Sequence, residues 1–96
     1  MTRKVYRYEV PVDDEWHRIM LTSLPLPHVE GDTHTVEFWA EHNDAHHEVP
    51  AAFRVFGTGH VIPAGAAYVG TAPRLDNGLV WHLYQADVVQ NNVAVR

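Results

Sequence analysis

In residues 35–42, TVEFWAEH, every second side chain is apolar: Val36, Phe38 and Ala40 alternate with Glu37, Trp39 and Glu41. Successive Cβ atoms of a strand point to opposite faces of a sheet, so this pattern specifies a strand with one buried side. Val36, Phe38 and Ala40 belong to the core, which leaves Trp39 on the outer face between two carboxylates. The same period-two signature recurs in short runs along the chain, while helical periodicity is weak throughout.

The first run covers residues 4–10, KVYRYEV, with Tyr6, Tyr8 and Val10 on one face and Arg7 and Glu9 on the other. Pro11 and the acidic VDDE at 12–15 close it, and WHRIML at 16–21 follows. Five intervening residues predict an antiparallel hairpin between these two runs. A short strand is expected near 26–30, then the longer one near 34–42, with Gly31–Asp32 as the turn. Residues 51–59 form the next strand, with Phe53 and Val55 inward and Arg54 outward. AYVGTA at 67–72 and LVWHLYQ at 79–85 complete the set, joined by PRLDNG, whose Asn77–Gly78 pair favours a tight turn.

About seven strands at short spacing predict an all-β fold, a compact antiparallel sandwich or a partly open small barrel. The 96 residues make one domain, read as residues 1–85 followed by a tail at 86–96. The tail alternates weakly and is read as an extra edge strand, a dimer contact or a loose end. A fold of this size buries a little over ~60% of its unfolded surface, which leaves little room for a deep cleft.

Composition removes several functions. The absence of cysteine excludes disulfide staples, thiolate zinc sites and a cysteine nucleophile. No apolar run reaches the ~18 residues of a membrane span, and MTRKVYRYEV lacks the apolar core of a signal peptide. A net charge of −5 with only seven Lys and Arg argues against nucleic-acid binding. Eight histidines, all protonated, would turn seven positive charges against twelve carboxylates into a net +3. We read them as solvated side chains.

The stretch FRVFGTGHVIPAGAAYVGTA, residues 53–72, holds two Gly-Thr pairs and His60. A phosphate loop needs inward backbone N–H groups backed by a helix N-terminus, and Pro63 and Gly65 deny the helix. The residues instead describe bends: Gly57 and Gly59 let the strand kink, Thr58 caps the turn through its hydroxyl, and Pro63 and Gly65 form a second turn. A nucleophile for His60 would have to be Ser23, the one serine, in a loop without a strained turn. A hydrogen-bonded structural His60 fits better, and no catalytic residue is assigned.

His42, Asp44, His46, His47 and Glu48 crowd the loop EHNDAHHE, residue types that suit Zn²⁺ or Ni²⁺. A polar loop offers no second shell to hold them, so it reads as solvated, with no metal and no cofactor assigned. The VDDE run reads as a solvated hairpin tip rather than a carboxylate pair. In VWHLY, residues 80–84, Trp81 and His82 point to opposite faces; Trp81 inside with Leu79 and Leu83 is the simpler assignment, reversed if the other face lines a barrel.

The order YRYEVPVDDEWHRIML, VEFWAEH, FRVFGTGHVIPAGAAYVGTA and LVWHLY resembles a family of small uncharacterised proteins encoded by bacteriophages and prophages, especially those of actinobacteria. The resemblance covers roughly residues 4–85 and rests most on Val-x-Gly-Thr-Gly-His-x-Ile-Pro at 55–63, then Tyr-x-Gly-Thr at 68–71 and Val-Trp-His-Leu-Tyr at 80–84. The loop 41–50 and the tail after Gln85 depart from it. It implies a viral origin and a setting in the cytoplasm of an infected bacterium, and it implies no reaction.

The expected function is that of a non-catalytic phage accessory protein that binds a host or phage protein. Thr58, His60, Trp39 and His82 are the candidate ligand- or partner-binding residues. A nucleotide- or metabolite-binding barrel rimmed by Gly57–His60 is the first alternative, and a metal-dependent hydrolase built on the 42–48 loop the second. Exposed edge strands and the tail leave a homodimer open.

Overall fold

The computed structural model describes residues 2–86, which form seven antiparallel strands in two sheets. The strands are β1 (Arg3–Pro11), β2 (His17–Leu21), β3 (Pro25–Gly31), β4 (Thr35–Asn43), β5 (Val49–Gly57), β6 (Ala67–Thr71) and β7 (Trp81–Gln85). One sheet has the order β1-β4-β3, the other β2-β5-β7-β6. The all-β expectation is met as a two-sheet sandwich. The tail at 87–96, with its edge-strand and dimer readings, lies outside the described residues.

Alternation places the core as the sequence requires. Val36, Phe38 and Ala40 of β4 face Ala51, Phe53 and Val55 of β5, all buried. The Phe38 and Phe53 rings meet across the two sheets at 4.6 Å between centroids. Val10, Leu21, Val29, Ala72 and Leu83 complete the core, and Tyr8 stacks on Phe38 at 5.3 Å.

The expected β1–β2 hairpin does not form. β1 pairs with β4 along its whole length, Arg3 opposite Asn43 to Pro11 opposite Thr35, whereas β2 pairs with β5. Residues 12–16 are therefore a corner that carries the chain from one sheet to the other. Asp14 makes the corner with a left-handed φ of 63°, a conformation Asp tolerates better than most residues. Asp13 Oδ1 accepts the Glu15 N–H at 3.0 Å and contacts His17 Nε2 at 2.8 Å, which holds the corner closed.

Hairpins do form between β3 and β4 and between β6 and β7. In the first, Asp32 Oδ1 accepts the N–H groups of His34 (2.8 Å) and Thr35 (2.9 Å). In the second, Gly78 adopts φ 87° and donates its N–H to Leu75 O at 2.9 Å. The prolines of β3 lie in an edge strand, where a missing N–H costs no ladder bond on the open side.

The sheets approach most closely where β6 crosses β3. A Cβ at Gly70 would collide with Val29 Cγ2 and sit 3.3 Å from Val29 Cβ. Only a residue without a side chain fits there, and the β6–β7 register shifts at the same place, between Tyr68 and Gly70.

Trp81 lies on the inner face with Leu83, and His82 on the outer face; Leu79, expected inside with them, precedes β7 and is exposed, because the strand begins only at Trp81. The Trp81 indole N–H donates to Asp32 O at 2.9 Å. This bond ties the four-stranded sheet to the β3–β4 turn of the other sheet.

Candidate functional site

Strand β5 is central in its sheet, and its outward residues Ala52, Arg54 and Phe56 face away from the sandwich core. Phe56 is nevertheless only 1% exposed. Trp16 packs edge-on against it at 6.2 Å, Tyr84 does so at 5.5 Å, and Tyr68 meets Tyr84 at 5.5 Å. Four aromatic residues thus form a row across the outer face, from the corner before β2 to the edge strand β6. Each edge-to-face pair contributes roughly 0.5–1.5 kcal/mol beyond its buried area.

Arg54 lies in this row, with its guanidinium carbon 4.7 Å from the centre of the Phe56 ring. Its Nε is buried and, among the described residues, has no hydrogen-bond partner. A guanidinium only donates, so no described acceptor meets this N–H.

Beside the aromatics runs a polar chain. His82 Nε2 lies 2.9 Å from Thr58 Oγ1, His82 Nδ1 lies 3.0 Å from Thr71 Oγ1, and Thr71 Oγ1 lies 2.6 Å from the Tyr68 hydroxyl. Hydroxyls both donate and accept, so either neutral tautomer of His82 is satisfied and the ring is held rigidly.

Of the four residues singled out from the sequence, the fold joins two. Thr58 and His82 meet on this face. The Thr58 hydroxyl does not cap its own turn, because His82 occupies it. The cap comes from His60, whose ring Nδ1 accepts the Gly57 N–H at 3.1 Å while its backbone N–H donates to Gly57 O at 3.1 Å. Gly59 carries the positive φ of 93° that this four-residue turn requires. His60 is thereby engaged in the turn. Trp39 lies on the outer face of the opposite sheet, with its ring 5.7 Å from that of His28.

The remaining candidates are dispersed. His42 belongs to β4, not to a loop, and stacks on Tyr6 at 5.1 Å. Asp44 Oδ1 accepts the Thr2 N–H at 2.8 Å, and His46 and His47 are exposed. Among the described residues no three His, Asp or Glu side chains converge as a group able to hold a metal ion. Ser23 lines a mostly apolar groove of about 540 Å³ with Leu21, Leu24, Val49 and Pro50, and among the described residues its lining contains no histidine or carboxylate.

Carboxylates elsewhere are committed to structure. The Arg3 guanidinium holds Glu41 below the usual carboxylate range, with Nε–Oε1 at 2.8 Å. Asp32 is lowered by the two backbone N–H groups it accepts, and Asp13 by its hydrogen bond to His17.

Residues 1–93 match the family described as Domain of unknown function (DUF7352). The chain belongs to the DUF7352 family. The match reaches beyond residues 4–85 and takes in both the 41–50 loop and most of the tail. No curated protein and no solved structure matches this DUF7352 domain.

Arg54, Trp16, Phe56, Tyr68 and Tyr84 were not singled out as site residues from the sequence. Arg54 and Phe56 at i, i+2 were a legible signal, since a phenylalanine sharing an outward arginine's face needs some other cover.

Proposed function

We propose that this DUF7352 domain is a non-catalytic accessory protein of bacteriophage or prophage origin. It binds a host or phage protein in the cytoplasm of the infected bacterium, and the outer face of the four-stranded sheet is the contact surface. The observation that carries this reading is the row Trp16–Phe56–Tyr84–Tyr68 with Arg54, assembled on the side of the sheet away from the core. Tyr, Trp and Arg are the residue types that dominate binding energy at protein interfaces. Tyr68, 60% exposed, sits at the open end of the row. The viral origin is supported by the motif resemblance at 55–63, 68–71 and 80–84.

Affinity capture from a lysate of phage-infected actinobacterial cells tests the reading. The wild type and Trp39→Ala, altered on the opposite sheet, should retain the same specific protein. Tyr68→Ala and Tyr84→Ala, with folding verified by circular dichroism, should lose it by roughly 30-fold or more, as interface anchors do. Equal retention by all four proteins, or no specific protein with any of them, overturns the proposal.

A further inference from the structure

The strands β2, β5, β6 and β7 contain none of the chain's twelve carboxylates, although the net charge is −5. The strands of the other sheet carry Glu9, Glu30, Glu37 and Glu41, and there Arg3 and Arg7 are matched by Glu41 and Glu37. The four-stranded sheet has Arg18 and Arg54, and among the described residues neither has a carboxylate partner. An acidic protein has thus kept its negative charge off one sheet and left two cations on that sheet's outer face.

The two cations also have a defined spacing. Arg18 pairs with Ala52, and Arg54 follows two residues along the same strand, so they are diagonal neighbours on one face. Diagonal positions in an antiparallel pair lie roughly 7–8 Å apart. Alternate residues of an extended chain lie about 6.5–7 Å apart, from a rise of ~3.3 Å per residue. Among the described residues the buried Arg54 Nε meets no acceptor. A carboxylate at its open end supplies the counter-charge that the fold withholds.

We propose that the occupant of this face is an extended acidic segment of a partner protein, with carboxylates at alternate positions on Arg54 and Arg18. This rests on the reading of the outer face as the contact surface and adds the chemistry of the partner. Two arginines give a poor hold on a polyphosphate backbone, whose binding depends on neutralising many phosphates. A peptide needs only those two ion pairs, with further side chains of the same alternate set against the aromatic row and the intervening ones turned to solvent. Such pairing gives orientation and on-rate as well as affinity.

The probe is a fluorescein-labelled, end-blocked octapeptide of alternating glutamate and threonine, titrated against the whole chain and read by anisotropy. Its glutamine counterpart and an eight-nucleotide oligo-dT of the same label serve as comparators. The glutamate peptide should bind at least tenfold tighter than either, with affinity that falls as salt rises. Arg54→Gln should weaken it at least tenfold. Arg18→Gln, an exposed position that cannot disturb packing as Arg54 does, should weaken it several-fold. Equal binding of the glutamate and glutamine peptides, tighter binding of oligo-dT, or indifference to both substitutions overturns the proposal. If the captured protein is lost with Tyr68→Ala but kept with Arg18→Gln and Arg54→Gln, the acidic chemistry falls and the contact face stands. If no substitution on the face affects capture, the contact face itself falls.

Discussion

At position 70 a single methyl group decides whether the two sheets can meet. Gly70 of β6 lies against Val29 of β3, and an added Cβ would overlap Val29 Cγ2. Gly70→Ala should destabilise the fold by about 1–3 kcal/mol, the usual cost of overpacking. Val29→Ala removes the colliding atom, so the double variant should lose less than the sum of the two single losses. Urea denaturation of the four proteins measures the coupling, and strict additivity would show that the two residues do not press on each other. The same scale holds the reversal around Thr58 and His60. Read along the chain, Thr58 caps the turn and His60 is the spare group; in the fold the ring of His60 caps Gly57 and the hydroxyl of Thr58 reaches His82. The local sequence shows that a turn is present. Which of two nearby polar side chains completes it depends on a strand more than twenty residues away.

Strand identity was legible because alternation is a local property. β4 begins and ends within a residue of its expected bounds, and β5 is displaced by two residues, starting at Val49 and closing at Gly57. Partnership is another matter. A five-residue connection between two β runs serves a hairpin or a corner equally well, and nothing in VDDE distinguishes them. Here β1 spends its pairing capacity on β4, and the corner at Asp14 sends β2 into the other sheet. Once the sheets are separate, something must hold their ends together, and one such tie is the indole of Trp81 bonded to Asp32 O. Trp81→Phe keeps most of the apolar area and leaves the exposed Asp32 carbonyl to water, so it should cost roughly 0.5–1.5 kcal/mol. Amide exchange of the β3–β4 turn, His34 and Thr35 above all, should quicken in this variant beyond the global loss. Unchanged protection there would mean that the bond is not a tie between sheets.

For the whole molecule, the charge distribution bears on stability in acid. Asp13, Asp32 and Glu41 all titrate below the usual carboxylate range in the folded chain. A group depressed by folding adds stability above its unfolded pKa, and that stability is lost as pH falls through the folded value. The urea midpoint should therefore decline from about pH 5 towards pH 3, across the carboxylate range. Asp32→Asn, which keeps an oxygen for the His34 and Thr35 N–H groups, should show a smaller decline. A midpoint that holds or rises over that interval contradicts the assignment. The same carboxylates, by residing in one sheet and in loops, leave the other sheet positive, and this asymmetry is what the acidic-segment proposal uses.

The amino-acid sequence determined the all-β class, the core faces of the strands and the positions of the turns, because side-chain alternation and positive-φ glycines act over a few residues. The tertiary structure decided which strands share a sheet, that Phe56 is buried on an outward face, and that Thr58, His82, Thr71 and Tyr68 form one chain of contacts. Those outcomes depend on pairing between segments far apart in sequence, and a period of two reveals a strand's faces without revealing its neighbour.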